Sequence, residues 1–141
     1  FQECVTSVTM FKNNPTTAKN RLKNVLPDYY EEVKTGILTG ESSDDLNASL
    51  KTDLATQLDG LYITGACACY HKSCASLSVS TIDDLKASNE SVRNYSHSID
   101  IMTHAGHVII DVDHDNRILG FENWERKDLR SRLLELNLQK L

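Results

Sequence analysis

Asp111, Asp113, Asp115 and Glu122 are the side chains whose types and spacing best suit chemistry, because they occupy positions 1, 3, 5 and 12 of the stretch from Asp111 to Glu122. A hard cation such as calcium takes six to eight oxygen ligands. Alternating acids in a tight turn aim several oxygens at one centre, and a later Glu closes the far side. On this reading Asp113 and Asp115 are the first ligands, and Asp111 and Glu122 complete an unpaired site of modest affinity. A local role competes with it, since Asp and Asn side chains bond nearby amides and tolerate left-handed backbone in turns.

A second set of reactive groups is Cys67-Ala68-Cys69-Tyr70-His71-Lys72-Ser73-Cys74, which with Cys4 makes an even set of four cysteines. In an oxidising compartment such a set forms disulfides. Cys4 is then expected to bridge one of Cys67 and Cys69, with the other joined to Cys74. In the chain-entropy account a cross-link over about sixty residues adds about 4 kcal/mol. In a reducing compartment the same thiols and His71 are a candidate zinc site, or stay free. His104, His107 and His114 are candidates for acid–base or transition-metal chemistry because imidazoles titrate near neutrality. Their spacing lacks the helical His pair with an accompanying Glu, so solvated turn positions are the expected role.

The twelve-residue stretch resembles an EF-hand loop, with Ile118 at the position where such loops carry an aliphatic residue. Asn116 stands where that loop has its turn glycine, and the preceding His107-Val108-Ile109-Ile110 reads as strand. The Asp-rich turn followed by Gly120-Phe121-Glu122 also resembles the strand-turn-strand of the DUF2283 family, small bacterial domains of unknown function, over residues 107–124. The first resemblance implies calcium; the second implies only a hairpin.

These groups need a scaffold. Asn14-Pro15 reads as an N-cap and first helical residue, followed by Ala18, Leu22, Val25 and Leu26 at helical spacing. Pro27 interrupts, and a short turn or helix from Asp28 turns Tyr30, Val33 and Ile37 inward and ends near Gly36 or Gly40. A helix opening at Ser42-Ser43-Asp44-Asp45 carries Leu46, Leu50, Leu54 and Leu58 on one stripe and closes at Asp59-Gly60. Residues 61–64 and 75–80 alternate with period two as strands, and Thr81 is the expected start of a surface helix reaching Asn94. Residues 98–103, 107–112 and 117–124 read as three strands of a meander. Leu129, Leu133 and Leu136 mark a closing helix. The expected architecture is one α+β domain over residues 1–141: a helical N-terminal part, an antiparallel meander sheet of about four to five short strands, and a C-terminal helix packed on it.

Composition narrows the functional classes. A net charge of −5 without a Lys/Arg-rich block argues against nucleic acid, and no apolar run is long enough to span a bilayer. Three glycosylation acceptors, at Asn47, Asn89 and Asn94, join the even cysteine count and a start at Phe1 that fits signal-peptide removal or a trimmed chain. The expectation is a secreted, disulfide-stabilised glycoprotein that binds a protein or cell-surface macromolecule as an effector, toxin subunit or ligand-like protein. The alternatives are a calcium-binding or calcium-stabilised module on Asp111 to Glu122, and an uncharacterised hydrolase.

Overall fold

The structure, a computed structural model, describes residues 21–40, 46–67, 74–81 and 94–135. Arg21 precedes a single helical turn, α1 (Leu22–Val25). Pro27 then opens the next helix instead of merely interrupting the first, because the N–H it lacks would have no partner in a first turn. Asp28 in that turn complements the helix dipole. The result is one continuous helix, α2 (Pro27–Thr39), which buries Tyr29, Tyr30, Glu32, Val33 and Ile37. Of the short turn or helix expected from Asp28, the helix is found, and it stops at Gly40, one of the two expected ends. α3 (Ala48–Leu58) starts at Asn47, whose side chain accepts from the Leu50 amide at 2.8 Å and caps the helix. The Ser42 to Asp45 start expected for it falls outside the described residues.

Five strands follow: β1 (Leu61–Ala66), β2 (Leu77–Thr81), β3 (His97–Thr103), β4 (Gly106–Val112) and β5 (Ile118–Glu122). All pair antiparallel in the order β1-β2-β5-β4-β3, so the meander β3-β4-β5 joins the β1-β2 hairpin through β5. Thr81 ends β2; the remainder of the expected surface helix lies mostly outside the described residues. α4 (Lys127–Glu135) closes the described chain. The α+β architecture read from the sequence is the architecture found.

Register assigns every strand residue to a face, since side chains alternate. Ile99 opposes Ile110, Ile110 opposes Phe121, Phe121 opposes Leu77, and Ile63 opposes Val79. These residues are buried in one core with Val33, Ile37, Leu54 and Leu58 of the helices and Leu129 and Leu133 of α4. Tyr29 meets Phe121 edge to face at 6.0 Å, and its hydroxyl donates to Asn123 at 2.9 Å. Ser98, Asp111, Gly120, Glu122 and Ser78 belong to the opposite face. That division sets the candidate site apart from the helical core.

Candidate functional site

The acidic stretch folds as a β4-β5 hairpin, and its four carboxylates take different roles. Asp113 accepts from the amides of Asp115 at 2.8 Å and Arg117 at 2.9 Å through one oxygen. It thus builds its own turn, as Asx residues do. Asn116 takes the left-handed conformation, with φ of 60°. From α3, Gln57 completes the turn by donating to the Asn116 carbonyl at 2.8 Å and accepting from the Ile118 amide at 2.9 Å. Asp115 and His114 are exposed at the tip.

Asp111 and Glu122 come together on the sheet face opposite the helices. Asp111 opposes Gly120 and Glu122 opposes Ile109, so the two acids are diagonal neighbours across β4 and β5. Both are buried, each 3% exposed. Desolvation pushes the Glu122 carboxyl up to about 9, and its hydrogen bond to Asp111 and the Asp111 charge push the same way. Desolvation also raises Asp111, against the hydrogen bonds it accepts from Glu122 and Ser98. The Ser98 hydroxyl donates to Asp111 at 2.7 Å. At neutral pH the pair therefore holds one proton, which Glu122 donates to Asp111. Among the described residues, Glu122 Oε1 is buried without a hydrogen-bond partner.

The four candidate calcium ligands do not form a single shell. Among the described residues no three His, Cys, Asp or Glu side chains converge as a metal ion would require. The turn uses an Asp113 oxygen, and the strand register turns Asp111 toward Glu122. The histidines are likewise not gathered. His104 is exposed in the β3-β4 turn and His107 is exposed beside it, with Nδ1 2.9 Å from Asp100, while His114 is at the tip of the next hairpin.

Cys67 and Cys74 are buried together at the junction of β1 and β2, with Trp124 packed against them. Among the described residues no disulfide joins two cysteines. Cys4, Cys69 and His71 lie outside the described residues, as does Asn89. Asn47 and Asn94 are exposed.

A second polar cluster has no counterpart in the sequence reading. The Tyr30 hydroxyl donates to Asp59 at the end of α3, and the Arg21 guanidinium donates to the Asp59 carbonyl, with Nε at 2.9 Å. Lys34 Nζ donates to the Tyr30 hydroxyl at 3.3 Å. The Lys23 and Lys34 ammoniums each lie 5.5 Å from the centre of the Tyr30 ring. The Tyr30 hydrogen bond and the surrounding cations hold the Asp59 carboxyl below its ordinary range. A Tyr and a Lys four residues apart on one helix were visible in the sequence; their convergence with Lys23, Arg21 and Asp59 depends on tertiary packing.

Comparison of the chain with protein-family models, with curated proteins and with solved structures returns no match.

Proposed function

We propose that the protein acts outside the cytosol by binding another macromolecule, as an effector, toxin subunit or ligand-like protein stabilised by its cysteines. The observation that carries this reading is the cationic cluster at Tyr30 on a chain of net charge −5. Gathering like charges costs electrostatic energy. Tyr30, Asp59 and Arg21 tie α3 to the elements before it, and Lys23 and Lys34 bring the cations beside the Asp59 carboxylate to three, a local excess of positive charge. Lys23 is exposed and Lys34 half-buried, which keeps both near solvent. The test compares fluorescently labelled parent protein with the Lys23→Glu/Lys34→Glu double variant for retention on cell surfaces and extracellular matrix. Loss of retention in a variant that keeps the circular dichroism of the parent is expected; equal retention would overturn the reading.

A second reading, a calcium-stabilised module, is favoured by Glu122 Oε1, buried and without a hydrogen-bond partner among the described residues. A cation that replaced the shared proton would give this oxygen a partner and offset the desolvation of both acids. Two carboxylates and the Ser98 hydroxyl fall short of a full calcium shell, so waters or backbone oxygens must complete it and affinity would be modest. The expected result is a higher melting temperature in excess calcium than in chelator, with the difference lost in Glu122→Gln. Identical melts for the parent protein would count against it.

A further inference from the structure

We infer that the surface of α1 and α2 around Tyr30 docks a sulfated polysaccharide, with the Lys23 and Lys34 ammoniums as its paired sulfate contacts. This rests on the reading of that surface as a binding surface and names the chemistry of its partner. Each ammonium lies 5.5 Å from the Tyr30 ring centre, so the two are no farther apart than twice that distance. Neighbouring sulfates on one flexible chain can span such a gap. A sulfate is a permanent anion with several acceptor oxygens, and each ammonium is a compact charge with three donors. Arg21 donates to the Asp59 carbonyl and the Tyr30 hydroxyl to the Asp59 carboxylate, so among the described residues the carboxylate within the cluster already accepts a hydrogen bond.

The local charge balance argues for a short anionic footprint. Arg21, Lys23 and Lys34 face Asp59, and Glu31 is the weakest of the charges acting on Lys34. The resulting excess of positive charge is small, and the chain as a whole is acidic. A nucleic acid, which needs an extended row of phosphate contacts, is poorly matched to it. An acidic peptide offers two acceptor oxygens on each carboxylate, fewer than the three terminal oxygens that a sulfate ester brings to the three donors of each ammonium. A sulfated chain outside the cell meets the compartment expected from the cysteines and glycosylation acceptors. Glu31, exposed one turn before Lys34, is then an opposing charge at the rim of the footprint.

The experiment is titration calorimetry of the full chain with size-defined heparin, at low and at raised salt, beside a desulfated chain of equal length and single-stranded DNA of equal charge. Heparin binding is expected to fade as salt screens the contacts. Lys23→Gln and Lys34→Gln should each weaken it about tenfold, as for loss of one charge-assisted hydrogen bond. Glu31→Gln should strengthen it, a gain that misfolding cannot mimic. Equal binding by the parent and both lysine variants, by the desulfated chain, or by DNA would overturn the proposal. Cell-surface retention that depends on Lys23 and Lys34 yet resists competition by heparin would overturn the sulfated partner and leave the binding reading standing. Retention independent of both lysines would remove the two together.

Discussion

Glu122 carries the clearest consequence of a single residue's surroundings. An isolated Glu titrates near 4.5, whereas burial and the adjoining Asp111 move this one up to about 9. Between those limits the folded protein keeps a proton that the unfolded chain has released, so raising the pH favours unfolding. The stability tied to this proton is fully present below about 4.5 and is lost as the pH climbs through about 9. The slope is about 1.4 kcal/mol per pH unit for each such proton. Asp111, also raised, works in the same direction. Glu122→Gln keeps the shape and a donor for Asp111 but has no proton to lose. Urea denaturation followed from mildly acidic to mildly alkaline pH should show a falling stability in the parent and a flatter profile in the variant, with the variant the more stable at the alkaline end. Parallel profiles would mean that the pair is already ionised in the folded state.

At the scale of elements, helices and strands were legible wherever a short-range pattern decides them. The Leu50, Leu54 and Leu58 stripe marked α3, and period-two alternation marked β1 and β2. What the pattern did not reveal was the sheet order, because the β2-β5 pairing joins segments distant in sequence. The candidate acids were legible as types; their division into a turn builder and a proton-sharing pair was not, since a carboxylate's role depends on the register across β4 and β5. Ser98 had no sequence signal at all. Two contacts between elements give further expectations. Gln57 satisfies both the Asn116 carbonyl and the Ile118 amide, so Gln57→Leu leaves two turn groups without those bonds and should cost about 1–3 kcal/mol by denaturation. Gly36 allows α2 to lie on β3: a Cβ there would meet Thr103 Cγ2 at 2.8 Å and the Met102 carbonyl at 3.2 Å. Gly36→Ala, which elsewhere in a helix should stabilise, is expected here to destabilise by about 1–3 kcal/mol. A stabilised Gly36→Ala protein would show that helix and strand can separate without loss.

For the molecule as a whole, one buried ion pair joins parts of the chain that no local pattern connects. Glu32 of α2, 5% exposed, takes two parallel donors from Arg126, at 2.8 and 3.1 Å, and a third from the Thr103 hydroxyl at 2.7 Å. The helical layer, the end of β3 and the lead into α4 therefore meet on one carboxylate. Arg126 is steadied in turn by Asp128 at 3.1 Å. Taking two charges out of water is costly, and the pair need not add net stability over an apolar replacement; removing one partner is what hurts. Arg126→Leu should thus lose about 3–5 kcal/mol, a large share of the about 5–15 kcal/mol that holds a typical domain folded. Glu32→Leu leaves Arg126 with Asp128 near solvent and should lose less. In the double variant neither charge is stranded, so its loss should fall well short of the sum of the two single losses. Urea denaturation of the four proteins measures that coupling directly. Additive losses would mean that the two side chains act independently, and that the helices and the sheet are held together by the apolar core alone.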